Sequence, residues 1–365
     1  MNPLNSDDMH AVGFFGLYWV FSVALGFGVD TGDTLYLQGH TGGEMANSSK
    51  VSRTLVVIPA FRVSGQILDV VRESLVFVDH VLVVDDACPE QSGLLVLSEF
   101  EENPRVNVIF NLENLGVGGA MKAGYLWGLE QDFVVFVKVD GDGQMDPALI
   151  PDLIYPIQQD SADFSKGNRF NSPRLVHQMP KLRLVGNGFL SLFSKISSGY
   201  WSVNDPTNGF IAISRSALER LEVERLSNSY FFESDLLFRL SIIKGRITEL
   251  PMTAKYGEEK SNLKISRVVF TFPFLHLKNL LKRIVYNYYV REWSIGSIEL
   301  PLGIGLAVWG VYFGLGSFGA AQSQGLGVTA GQAVATAIGI ILGFQLLLSF
   351  VSHDMQAEPR KGHQN

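Results

Sequence analysis

The rhythm of apolar and polar positions divides the chain into distinct stretches. Between Lys50 and about Pro251, short β-branched runs alternate with helix-length amphipathic segments. That is the pattern of βαβ units on a largely parallel sheet. Residues 54–58, 80–84, 106–110 and 133–139 predict strands, and residues 66–76, 92–101, 118–131 and 147–158 predict helices. Asp146 is placed to cap the last of these, with Pro147 at its first helical position. No internal repeat or low-complexity tract interrupts the alternation.

The rhythm then changes. Residues 266–293 mix aromatic, aliphatic and basic side chains, which suits helices lying in a membrane interface, and Pro273 predicts a break into two. From Leu300 to His353 there is no Asp, Glu, Lys or Arg. Within that region, residues 298–318 and 329–351 are each long enough to cross a hydrocarbon core of about 30 Å. Lys278, Lys282, Arg283 and Arg291 precede the first span, Arg360 and Lys361 follow the second, and the link 319–328 carries no positive charge. Both flanks are therefore expected in the cytoplasm and the link outside. Residues 9–29 are uncharged and could form a third span, yet residues 1–49 contain no Lys or Arg. Two readings stay open there: a membrane helix with its N-terminus outside, or translation that begins at Met45. The expected organisation is an N-terminal hydrophobic segment (1–49), an α/β domain (50–262), interfacial helices (263–296), two membrane helices (297–352) and a cytoplasmic tail (353–365).

Composition agrees with a chain that lies partly in a bilayer. Of 365 residues, 18% are charged and 47% hydrophobic, and mean hydropathy is +0.18. These values exclude a disordered chain. A net charge of −7 argues against a nucleic-acid partner, which calls for a basic face. The single cysteine, Cys88, cannot form an intramolecular disulfide.

Ligands of open α/β sheets bind beyond the carboxyl ends of the strands. The second predicted strand ends in Asp85-Asp86 and the fourth in Asp140-Gly141-Asp142-Gly143-Gln144. Two carboxylates separated by glycine can turn toward one hard cation, and such a cation neutralises a diphosphate leaving group. Gly116 to Met121 nearly spells a dinucleotide fingerprint, but Met121 stands in place of the third glycine and the next strand lacks an acidic ribose reader, which excludes nicotinamide chemistry.

The ordered set IPAF (58–61), VVDDACP (83–89), NLGVGGA (114–120), DGDGQ (140–144), GNRF (167–170) and DPTNGF (205–210) resembles the family-2 glycosyltransferases, over about residues 54–262. It is most similar to the dolichyl-phosphate mannosyltransferase and polyprenyl-phosphate glycosyltransferase branch. The resemblance implies a GT-A-like α/β domain with a Rossmann-like mixed sheet. It implies a donor nucleotide diphospho-sugar (GDP- or UDP-linked), a divalent metal (Mg2+ or Mn2+) and a polyprenyl phosphate acceptor at the cytoplasmic face of a membrane. By the same resemblance Pro59 and Phe61 line the nucleotide site, and Asp85 and Asp86 read the base or ribose. Asp140, Asp142 and Gln144 hold metal and diphosphate. Arg169, Arg183 and Lys255, the last ahead of Gly257-Glu258-Glu259-Lys260-Ser261, meet phosphate.

Two departures stand out. The usual Asp-Asp-x-Ser reads Asp-Asp-Ala-Cys, with Cys88 expected as a buried, inert thiol. The basic residue that often follows the Gly-Phe of DPTNGF is Ile211, so either another cation serves or the acceptor differs. The second reading of function is transfer to a hydroxyl of a lipid-linked or cell-envelope glycan. That chemistry needs a general base, for which Glu233 and Asp235 in FFESD are the candidates. The intact Asp-x-Asp argues against a non-catalytic binder, and the missing Gln-x-x-Arg-Trp argues against a processive synthase. Donor sugar and oligomeric state, including homo-oligomerisation, stay open.

Overall fold

The computed structural model describes residues 37–38, 53–170, 181–252 and 265–359, with the side chains of 37–38, 181–185, 187 and 265–270 outside that description. The expectations for residues 9–29, Met45, Lys255, 257–261 and the basic tail at 360–361 fall outside it as well.

In chain order the strands are β1 (Leu37–Gln38), β2 (Thr54–Ala60), β3 (His80–Asp85), β4 (Val106–Phe110), β5 (Val135–Lys138), β6 (Phe164–Asn168), β7 (Ile211–Ser214) and β8 (Ile247–Pro251). They form one sheet in the order β1-β4-β3-β2-β5-β7-β6-β8. The β4-β3-β2-β5 half is parallel, β7 runs antiparallel to both β5 and β6, and β8 is parallel to β6. The helices are α1 (Ile67–Ser74), α2 (Ser92–Glu99), α3 (Val117–Leu129), α4 (Ile150–Gln158), α5 (Lys181–Ser198), α6 (Arg215–Arg220), α7 (Phe232–Ile242), α8 (Ile265–Val285), α9 (Ile295–Ser323) and α10 (Ala330–Gln356). A short 3-10 turn, Pro147–Leu149, precedes α4, and Asp146 caps it by accepting the Ala148 N–H.

The central strands are apolar on both faces because helices cover both sides. Along β2, Leu55 and Val57 join a core built from α3, α6 and α7, while Val56 and Ile58 join one built from α1 and α4. This two-residue alternation places consecutive side chains in different layers. It also aims the carboxyl ends of β2, β3 and β5 at one edge of the domain.

The expected break at Pro273 does not occur. α8 runs unbroken through it, and a π-helical segment, Tyr286–Arg291, follows. A proline inside a helix costs about 3 kcal/mol. Packing of α8 against α5 and α7 offsets that cost. The polarity of α8 is reversed: His276, Asn279 and Arg283 are buried, whereas Phe274, Leu277 and Leu281 are 68%, 51% and 51% exposed. A helix that turns its polar stripe inward and its apolar stripe outward is suited to a lipid surface rather than to water.

α9 and α10 are long and apolar enough to cross a membrane. They pack closely because a Cβ on Gly343 would lie 2.5 Å from Ala307 N, and one on Gly310 would lie 2.8 Å from Ile340 N. The end of α10 is fastened to the α/β domain. Arg283 Nη1 and Nη2 reach Asp354 at 2.6 and 3.0 Å, and Tyr288 Oη and Trp201 Nε1 donate to the same carboxylate at 2.8 and 3.1 Å. Arg283, counted by charge as a cytoplasmic flank, is thus spent inside the joint.

Candidate active site

Pro59 lies near the end of β2 and Phe61 just beyond it, both half-buried, with the Arg62 guanidinium 5.4 Å from the Phe61 ring centre. Next to them β3 ends in Asp85 and Asp86, each only 3% exposed. Their carboxylates are turned inward. Asp85 accepts the N–H groups of Cys88 and Gly93, each at 2.7 Å. Asp86 accepts from Asn111 Nδ2 at 2.7 Å and from the N–H groups of Leu115 and Gly116 at 2.9 and 2.8 Å. The sequence reading offers this pair to the base or ribose. In this structure the two carboxylates shape the loops that form that wall.

The glycines around the pair follow from this. Gly116 has φ +82°, and a Cβ on Gly118 would come within 2.0 Å of Ser227 O, so the near-fingerprint serves close packing at the start of α3. Cys88 is buried; its Sγ accepts the Arg62 N–H at 3.0 Å and lies 3.2 Å from Ser92 Oγ. Burial pushes this thiol up, but the hydrogen bonds with Ser92 and Arg62 outweigh it and hold the thiol below its usual range. It links the loops after β2 and β3, the geometry a serine hydroxyl could also supply.

The loop after β5 carries the triplet. Asp142 Oδ1 accepts the Gln144 N–H at 3.0 Å across a turn in which Gly143 has φ +71°. Asp140 is one-third exposed and lies 2.5 Å from the Lys138 ammonium, which is itself 3.6 Å from Glu233. Glu233 sits in the first turn of α7. Burial pushes its carboxyl above the usual range, Lys138 pulls it down, and the nearby charge of Asp140 adds to the rise. Burial alone would lower Lys138, but Asp140 and Glu233 hold it above its ordinary value.

Asp235, two residues on, has a different surrounding. Its oxygens accept the Ser227 N–H at 3.0 Å, Arg239 Nε at 3.0 Å and Asn279 Nδ2 at 3.2 Å. It ties α8 to α7.

Arg169 follows β6 and is held by Asp205, which is fully buried. Nε and Nη2 donate to the two carboxylate oxygens at 2.8 and 2.9 Å, and the Arg169 backbone N–H adds a third bond at 3.0 Å. Burial would raise the Asp205 carboxyl, but the Arg169 guanidinium keeps it below the usual range. Most of the fork that the sequence reading assigns to phosphate is thus engaged within the protein. Arg183 lies in the first turn of α5, with its side chain outside the described residues.

Lys138, Lys166, Asp205 and Glu249 were not singled out from the sequence. For Lys138 the signal was a charged residue inside an otherwise apolar strand, FVVFVKV; Lys166 lies in the polar run DFSKGN, which carries no such signal. They also bear on Ile211. Ile211 pairs with Lys138 across one strand boundary and with Lys166 across the other, so cations stand on both sides of the position where a basic residue is absent. Burial pushes Lys166 down to about 8, against the opposing charges of Asp205, Glu249 and Glu233.

The residues present fit a divalent ion. Their donors are oxygens, the set preferred by hard cations. Gly209, having no Cβ, leaves space beside Asp140 Oδ2, where a Cβ would be only 3.1 Å away. Among the described residues no group of three or more His, Cys, Asp or Glu side chains gathers at one point. Asp140, Asp142 and Gln144 are the side chains that would hold such an ion, which would supply charge neutralisation to a diphosphate.

The comparisons agree with this geometry. The glycosyl transferase family 2 model matches residues 55–222. Undecaprenyl-phosphate mannosyltransferase of Micrococcus luteus is 32% identical over 219 residues, covering 57% of this chain and 87% of the relative. Polyprenol monophosphomannose synthase of Mycolicibacterium smegmatis is 30% identical over 217 residues, 58% of this chain and 81% of the relative. UDP-N-acetylglucosamine–dolichyl-phosphate N-acetylglucosaminyltransferase of Methanococcus voltae is 30% identical over 241 residues, 62% and 95% of the two chains. The chain belongs to glycosyl transferase family 2. It is a glycosyltransferase with a GT-A fold, of the type that includes the polyprenyl-phosphate mannosyltransferases.

Proposed function

We propose that this protein moves a hexose, with inversion, from a nucleoside-diphosphate donor onto the phosphate of a polyprenyl lipid at the cytoplasmic membrane surface. The observation that carries the reading is the state of the two candidate bases. Asp235 is saturated by α7, α8 and the loop before them, and Glu233 is charge-paired with Lys138. A hydroxyl acceptor needs a free base, whereas a phosphate oxygen is already anionic and does not. The relatives' names support the same acceptor class, and they include both mannose and N-acetylglucosamine transfer.

In this reading Pro59 and Phe61 bound the nucleotide, and Asp140, Asp142 and Gln144 hold the diphosphate end. A divalent ion bound there supplies charge neutralisation to the departing diphosphate. The acceptor is drawn from the bilayer along the outward apolar stripe of α8. Arg183 and Lys255 hold its phosphate in line with the anomeric carbon, so positioning contributes most of the rate. The test is to incubate membranes containing the protein with a panel of labelled sugar nucleotides and undecaprenyl phosphate, then extract lipid. One donor should transfer label into the organic phase, and the label should be released by mild acid. Label found only in water-soluble or acid-stable glycan would instead support the hydroxyl acceptor.

A further inference from the structure

Lys138 ends β5 at a point where an ammonium group would ordinarily turn to water. Its side chain is instead 1% exposed and bonded to Asp140 Oδ1. Gly209 of DPTNGF and the residue after the motif, Ile211, make this possible. A Cβ on Gly209 would lie 2.4 Å from the ammonium, so a glycine is needed for the lysine to reach its partner, and Gly209 O accepts from it at 3.4 Å. Ile211, beside Lys138 in register, brings no rival charge.

The ammonium therefore rests on an oxygen of the first carboxylate of DGDGQ. We propose that Lys138 is a positioning residue that acts as an internal stand-in cation: it occupies Asp140 Oδ1 while the donor is absent, keeps the site's affinity for a bare divalent ion low, and holds the carboxylate ready for an ion that arrives with a diphosphate. This rests on the reading of Asp140 and Asp142 as metal ligands. Without a compensating cation, Asp140, Asp142 and the nearby Glu233 would together present strong negative charge to any free divalent ion. One fixed positive charge in a low-dielectric setting offsets much of that attraction. A bound diphosphate adds negative charge and oxygen ligands, which restores it.

The test follows Mn2+ binding to the purified full-length protein by the loss of the free-ion electron paramagnetic resonance signal, with and without UDP or GDP. Wild type should bind Mn2+ weakly alone and at least tenfold more tightly with one of the nucleotides. Lys138→Met should bind nucleotide-free Mn2+ about tenfold more tightly than wild type, while sugar transfer slows; tenfold corresponds to about 1.4 kcal/mol. Lys138→Gln keeps a hydrogen-bonding side chain but removes the charge, so it should move nucleotide-free affinity the same way and reports on the stand-in charge even if Lys138→Met fails to fold. Unchanged or weaker nucleotide-free binding in the folded variants would overturn the stand-in role. Wild type that binds no Mn2+ with either nucleotide would overturn the metal reading itself, and this inference with it.

Discussion

Glu233 is the residue at which the two acceptor chemistries part. As a general base it would account for a factor of about 10²–10⁴ in rate. As the partner of a buried lysine it helps set local charge only, and its loss leaves the Lys138–Asp140 pair in place. Glu233→Gln is therefore expected to lose less than about tenfold in kcat, well short of what removing a base costs. A loss of a hundredfold or more, with donor binding and folding intact, would favour the hydroxyl acceptor. This is also the scale at which the sequence was least complete. The acidic pairs could be located because aspartates after strands form compact motifs. Their partners could not, since Asp85 and Asp86 close on backbone N–H groups, and Arg169 on a residue 36 positions away.

At the scale of elements, α8 shows what pattern can and cannot reveal. Its mixed composition pointed to an interface. The direction of its polar stripe became visible only once α5 and α7 were in place beneath it. His276 is central to that packing. It lies in a cage of Phe193, Phe231 and Phe272, with Nδ1 2.8 Å from Ser197 Oγ. Burial pushes it down to about 4, against an ordinary value near 6.5. With the folded value below the unfolded one, the docked helix keeps its full stability above about pH 6.5 and loses it as pH falls toward 4. Hydrogen exchange in α8 should accordingly lose protection between pH 7 and pH 4.5, and His276→Phe should flatten that loss. An equal loss in the variant would place the pH dependence elsewhere. The parallel half of the sheet was legible because its strands are continuous apolar runs. The β6, β7 and β8 half was not, because Lys166 and Glu249 interrupt the pattern and the order β7-β6-β8 reverses chain order.

At the scale of the molecule, the paired helices α9 and α10 join the α/β domain through the Arg283–Asp354 joint, so the site and the apolar helices belong to one unit. The length and composition of the helices were plain in the sequence; the joint was not, because its two charges lie 71 residues apart. The topology expected from the flanking charges, with the domain in the cytoplasm, predicts that a cysteine at Ser323, on a Cys88→Ser background, reacts with an impermeant thiol reagent added to intact cells. Labelling of a cysteine in the 353–365 tail instead would reverse the orientation.

Whether the sugar goes to phosphorus-bound oxygen can be read from phosphorus itself. Purified protein in lipid nanodiscs, given undecaprenyl phosphate and the donor identified from the panel, would be followed by phosphorus NMR. The phosphomonoester resonance of the lipid should disappear in step with donor consumption and be replaced by that of a sugar phosphodiester. Donor consumption that glycosylates an added lipid-linked glycan while the phosphomonoester resonance stays unchanged would contradict the assignment.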